Sequence, residues 1–223
     1  MNSGKRIILL RHCEQPHQKK IEKIQSHVGG TNQGMIRTYL RPELINKLIG
    51  NETYELHTYT HTYKNEPTSR AYYTSQLLLH HTLYEKSDDI NELVENVKKS
   101  ICKNIIICWE HEELCIIMNN LIGIKPTWSY VAKKMYNELG KKFKVKDKVK
   151  IELKDVEHLK YCASDFIKQN TKTRDYYTKP DEEIEYALVW DIDYEKKEYK
   201  VYPDYMIKKC QKNKNKFKVL KYI

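Results

Sequence analysis

With 223 residues, 40 Lys plus Arg against 30 Asp plus Glu and a net charge of +10, the chain can bury one sizeable core and is biased towards anionic partners: phosphorylated small molecules, nucleic acid or an acidic surface. Its six cysteines show no CxxC spacing, no charged-then-apolar leader opens it, and its apolar runs are only a few residues long. These features argue against a membrane span and predict a reduced, cytoplasmic protein. The densest basic runs, Lys141–Lys146 and Lys208–Lys218, interleave basic and apolar positions as the solvated face of a strand does, so a nucleic-acid partner is not expected.

The first informative stretch is Ile7-Ile8-Leu9-Leu10-Arg11-His12-Cys13-Glu14. Four apolar residues in a row predict a strand buried on both faces. In an open α/β sheet, ligands bind beyond the carboxyl ends of the strands, so a guanidinium and an imidazole placed there suggest an anion site. Residues 15–31 read as a polar loop in which Lys19 and Lys20 could reach an anion or remain solvated. From Asn32 to about Ile49 the apolar positions recur at helical spacing up to Gly50, with Pro42 expected to bend or split the helix.

Tyr54 to Tyr63 alternates as a strand does. His57 and His61 share a face there but lie more than about 10 Å apart, too far for one zinc ion, and no metal site is expected. Glu66-Pro67-Thr68-Ser69 supplies a turn and a cap, and Arg70 to Leu79 reads as a helix. Arg70 would then stand at a helix start, where backbone N–H groups attract anions. A surface helix is predicted within residues 84–100, with Ile90, Leu93, Val94 and Val97 at helical spacing.

Asn104 to Trp109 repeats the buried-strand pattern and runs into Glu110-His111-Glu112-Glu113, after which Leu114 to Leu121 begin a helix closed by Gly123. Two buried strands thus each end at a histidine, and between them a helix starts with an arginine. A further helix is expected from about Val131 to Leu139, and a hairpin from Tyr186–Asp193 and Glu198–Tyr205 joined by residues 194–197.

Taken together, Arg11-His12-Cys13-Glu14, Gln33-Gly34 with Arg37, Ser69-Arg70-Ala71 with Thr74, and Ile107-Cys108-Trp109-Glu110-His111 resemble, in order and spacing, the motifs of the histidine phosphatase superfamily, the phosphoglycerate mutase-like fold, in a "WEH" form. The resemblance spans about the first half of the chain. It implies a three-layer α/β/α sandwich with a mostly parallel central sheet, and one domain over residues 1–223 with less family-like insertions at about 84–100 and 124–185.

The same resemblance implies a metal-independent phosphatase without cofactor, acting on a small phosphorylated substrate. His12 would be the nucleophile, with a backbone carbonyl holding its other ring N–H, and Arg11, Arg70 and His111 would bind the phosphoryl oxygens. Glu112, directly after the second histidine, stands where one branch of the family keeps its proton donor; Glu92 and Glu95 are the alternates, and Glu14 would orient the first loop. Cys13 replaces the family's usual small Gly or Ala. Three other functions remain open: a phosphomutase, a catalytically silent module binding a phosphorylated partner in the same pocket, and a basic nucleic-acid binder.

Overall fold

The protein is described here from a computed structural model, over residues 4–12, 32–60, 62–63, 66–67, 69–75, 77–78, 81–84, 89–139, 186, 188–203, 207–210 and 217–219. Six strands form the central sheet: β1 (Arg6–Arg11), β2 (Glu55–Tyr59), β5 (His81–Tyr84), β6 (Asn104–Trp109), β7 (Leu188–Asp193) and β8 (Glu198–Pro203), in the order β5-β2-β6-β1-β7-β8. β3 (Thr62–Tyr63) pairs with β4 (Glu66–Pro67), and β9 (Ile207–Cys210) with β10 (Phe217–Val219), as two small ribbons. β5, β2, β6 and β1 run parallel to their neighbours, whereas β7 is antiparallel to β1 and β8 to β7. The sheet is therefore mostly parallel, as the sequence predicts.

Continuous apolar runs make the two central strands. Every residue of β6 is buried, and so is β1 from Ile7 onward. Strands buried on both faces need helices on both, which gives the α/β/α layering. On one hand α1 (Asn32–Ile49) packs on α2 (Arg70–Ser75); on the other α4 (His111–Ile122) packs on α3 (Ile90–Lys99) and α5 (Trp128–Leu139). Ile7, Ile8, Leu9, Leu10, Ile105, Ile106 and Ile107 are fully buried, each worth about 1.5–3 kcal/mol of apolar transfer. Among the described residues no helix is long and apolar enough to cross a membrane.

The sequence expectations need four adjustments. Pro42 lies inside an unbroken α1, whose buried Thr38, Arg41, Leu44, Ile45 and Ile49 anchor it on both sides of the missing N–H. The strand expected over 54–63 is β2 followed by the separate short β3. The helix expected over 70–79 stops at Ser75, where the Leu78 N–H turns back to the Ser75 carbonyl (2.8 Å) in a tighter i→i+3 turn. The chain then enters β5, which the sequence reading did not foresee.

Gly50 and Gly123 close α1 and α4 with positive φ of 68° and 77°, backbone that favours glycine. Between β7 and β8, the Asp193 carboxylate accepts the Lys196 N–H (3.1 Å) and so shapes the turn. Trp190 on β7 is held between Trp128 of α5 and Tyr199 of β8, with ring centroids 5.0 and 5.3 Å away.

Candidate active site

The site follows from register. β1 and β6 pair in parallel with Arg11 opposite Trp109, so both strands end at one level, and the His12 N–H extends the ladder by donating to the Trp109 carbonyl (3.2 Å). The residue that follows each strand then meets the other: His12 Nε2 lies 2.8 Å from Glu110 Oε2.

On the other side of β6, β2 pairs with Thr58 opposite Cys108. The Ser69 hydroxyl donates to the Tyr59 carbonyl (2.5 Å) and accepts the Tyr72 N–H (3.0 Å), fixing the start of α2 to the end of β2. This carries Arg70 over the strand ends, where its Nε donates to His12 Nδ1 (3.4 Å) and its Nη2 lies 3.7 Å from Glu110 Oε1. The short α2 contributes a mounting for Arg70, and Ser69 takes up one of the N–H groups that the sequence reading had offered to an anion.

Arg11 is buried, its backbone carbonyl accepts from Arg41 Nη2 (3.4 Å), and its guanidinium lies 3.8 Å from the centroid of the Tyr186 ring. The same Tyr186 ring meets His12 edge-on at 5.8 Å. A guanidinium stacked on an aromatic face is held in orientation while its N–H edge stays available to oxygen acceptors.

Charge follows from this packing. His12 is 2% exposed; burial pushes its imidazole pKa below the ordinary value, Glu110 pulls it up, and Arg70 and Arg11 push it down again, with a net lowering. Burial alone would raise the Glu110 carboxyl, but the hydrogen bond from His12 and the charges of His12, Arg70 and Arg11 together bring it down to about 2. At neutral pH the pair is therefore a neutral imidazole and a carboxylate. Glu110 Oε2 faces Nε2, and the Arg70 Nε–H donates at Nδ1.

Glu110 is also the N-cap residue of α4, yet its carboxylate makes no capping hydrogen bond to its own helix and reaches His12 instead. A capping bond is worth about 1 kcal/mol, so the cations of the site outweigh it. Nearby, Trp109 Nε1 donates to Glu113 Oε2 (2.5 Å), tying the first turn of α4 to the end of β6. The Tyr59 hydroxyl, pushed up to about 12 by burial and then by the charges of Glu113 and Glu110, stays protonated.

Of the residues nominated from sequence, Arg11, His12 and Arg70 come together. His111 opens α4 immediately after Glu110 and is half-buried, and Glu112 is exposed on the same first turn. Glu92 and Glu95 lie exposed on α3, where Glu95 faces Lys98 (3.3 Å) and Lys99 (4.0 Å). Cys13, Glu14, Lys19 and Lys20 fall outside the described residues, as does His61; Gln33, Gly34 and Arg37 lie in the first turns of α1. His57 is a buried side chain of β2 whose Nδ1 meets the Tyr84 hydroxyl at 2.9 Å. Among the described residues no cluster of three His, Cys, Asp or Glu could hold a metal ion.

Sequence reasoning missed Glu110 and Tyr186 as parts of the site. The signal for Glu110 was its place between a buried strand and the second histidine; for Tyr186, its place just before β7.

No family model matches the chain, and no curated protein does. Among solved structures, an Escherichia coli K-12 protein assigned as an alpha-ribazole-5'-P phosphatase is similar at 12% identity and a TM-score of 0.38, over 54% of this chain and 81% of that one.

Proposed function

We propose that this chain is a metal-independent phosphatase of the histidine phosphatase type, hydrolysing a small phosphate monoester through a phosphohistidine on His12. The observation that carries the reading is the Glu110 carboxylate itself: an anion rests on the nucleophile's Nε2, 3.7 Å from the Arg70 guanidinium, in the place where a phosphoryl oxygen would be bound. In this reading Arg11 and Arg70 hold the equatorial oxygens of the phosphoryl group with charge-assisted hydrogen bonds, and His111, the next residue after Glu110, adds a donor. Neutralisation by the two guanidinium groups replaces what a metal ion does elsewhere. Burial keeps His12 neutral and hence nucleophilic at physiological pH. The substrate is a phosphorylated small molecule met in a reducing cytoplasm, and Glu112 protonates its leaving group.

A second reading, a silent module that binds a phosphorylated partner, draws on the exposure of Glu112, which leaves the leaving group without an enclosed acid at that residue. Hydrolysis of an aryl phosphate in the presence of EDTA separates the two. Turnover that survives the chelator and is absent in His12→Ala supports the phosphatase; wild-type protein that binds inorganic phosphate but turns over neither the ester nor a panel of phosphorylated metabolites supports the module.

A further inference from the structure

We infer that Glu110 is a built-in competitor for the anion position: a carboxylate that holds the empty site, yields it to a phosphoryl group and helps clear inorganic phosphate from it afterwards. The inference rests on the phosphatase reading above, which puts phosphoryl oxygens between His12 and Arg70. It adds to that reading a residue that sets affinity for the substrate and the product.

Occupancy and charge force an exchange. Glu110 Oε2 lies 2.8 Å from His12 Nε2, and Oε1 lies 3.7 Å from Arg70 Nη2. A phosphoryl group held by Arg70 within reach of His12 would fill the same space, and a carboxylate left beside its two charges would repel it. The carboxylate has a second place to go. Glu110 is the N-cap residue of α4: its backbone is extended (φ −71°, ψ 143°), and its carbonyl accepts the Leu114 N–H at 2.9 Å. A side chain so placed can turn to the N–H groups of the first helical turn without a change of backbone. In the empty site it makes no such bond, and it keeps 34% of its surface exposed, so rotation is open to it. Glu112 and Glu113 bring two more carboxylates to that first turn, which makes the capping place the poorer of the two until a phosphoryl group claims the other.

Displacement of Glu110 imposes one cost on every phosphate ligand. An ester offsets it through contacts made by the rest of the molecule, whereas inorganic phosphate has only its own oxygens. After hydrolysis the carboxylate therefore competes best against the product, and its return to His12 and Arg70 helps to vacate the site. No bond is made or broken in this exchange, and no proton moves.

The test uses the full chain and inorganic phosphate as the probe, titrated calorimetrically at constant ionic strength into wild type, Glu110→Gln, Glu110→Ser and Glu52→Gln. Glu110→Gln removes the charge, and Glu110→Ser also gives α4 a short cap that protects the fold. Glu52 bonds to Asn104 (2.8 Å) at the start of β6, about 20 Å along the strand from Glu110, so its substitution controls for net charge. We expect both Glu110 variants to bind phosphate about tenfold more tightly than wild type, and Glu52→Gln to stay within about twofold. Inhibition of aryl-ester hydrolysis by phosphate should deepen by the same factor as the binding. Phosphate affinity that is unchanged or weaker in both Glu110 variants would overturn the inference and leave Glu110 a fixed partner of His12; if esters are still turned over, the phosphatase reading survives that result. Equal tightening in Glu52→Gln would overturn it as well, by assigning the effect to overall charge. Tightening confined to the Glu110 variants, in a protein that turns over no ester, would uphold the competitor and remove the phosphatase reading in favour of the silent module. Absence of phosphate binding from wild type and from both Glu110 variants would overturn the competitor together with the anion position.

Discussion

β1 carries an arginine at each end, and the two ends behave differently. At its start, Arg6 makes a two-pronged pair with Asp191 (2.7 and 2.6 Å) and also donates to the Leu48 carbonyl. Beside it Lys5 Nζ donates to the Val97 and Lys98 carbonyls at 2.9 and 3.0 Å. Among the described residues, each of these acceptors belongs to a strand or to a helix end that is itself packed in the fold, so the charges are matched by groups that cannot leave. At the finish, His12 and Arg70 face a carboxylate on the hinge between β6 and α4. An arginine at a strand end is thus no sign of a site by itself; what distinguishes the two ends is whether the counter-anion is fixed or replaceable.

Substitutions at the two ends should therefore separate stability from chemistry. The largest effect is expected for His12→Ala, which should lower phosphate-ester turnover by about four orders of magnitude or to background. Arg70→Ala should lower kcat about 100- to 1000-fold through lost charge stabilisation, with a melting temperature close to that of wild type. Arg6→Ala should reverse the pattern. Loss of a part-buried charged hydrogen-bond pair should cost about 2 kcal/mol in urea unfolding, while kcat/KM of the surviving folded protein stays within about twofold. A large activity loss in Arg6→Ala, or a large stability loss in Arg70→Ala, would break the contrast between the ends.

The smallest effect is on acid stability. The folded-state value of Glu110, about 2, lies below its ordinary 4.5, so the folded protein binds fewer protons there than the unfolded chain. The contribution is complete above about pH 4.5 and lost as pH falls towards 2. His12, lowered from 6.5 by burial, acts in the same direction, its share complete above 6.5 and fading below it. Glu110→Gln removes this carboxyl, so that variant should lose less stability than wild type between pH 4.5 and 2, measured by chemical denaturation at a series of pH values. An acid limb as steep as that of wild type would show that the Glu110 carboxylate is not tied to the cations as described.

Much of the scaffold was legible because it rests on local signals. The unbroken apolar runs of β1 and β6, Gly50 and Gly123 at the ends of α1 and α4, and the alternation in β7 and β8 all write their structure into adjacent residues. β5 was not legible: Leu77, Leu78 and Leu79 look like a continuing helix, and the strand that follows, His81 to Tyr84, leaves Thr82 and Leu83 exposed. The helix ends at Ser75 with a turn from the Leu78 N–H to the Ser75 carbonyl, which no spacing rule reports. In the site, Arg11, His12 and Arg70 could be nominated because each closes or opens an element. Glu110 could not, since a glutamate after a strand reads as solvated, and only the pairing of Arg11 with Trp109 sets it against His12. Tyr186, distant in sequence, reaches Arg11 and His12 only through the fold.

The proposed activity requires that His12 carry phosphate in turnover. The direct measurement is an alkaline quench of the protein during reaction with an aryl phosphate in EDTA, followed by peptide mass analysis. One phosphoryl group on the peptide containing His12, absent from His12→Ala, is the predicted result. Turnover by wild type without any adduct on His12, or neither turnover nor adduct across aryl and metabolite esters, would contradict it.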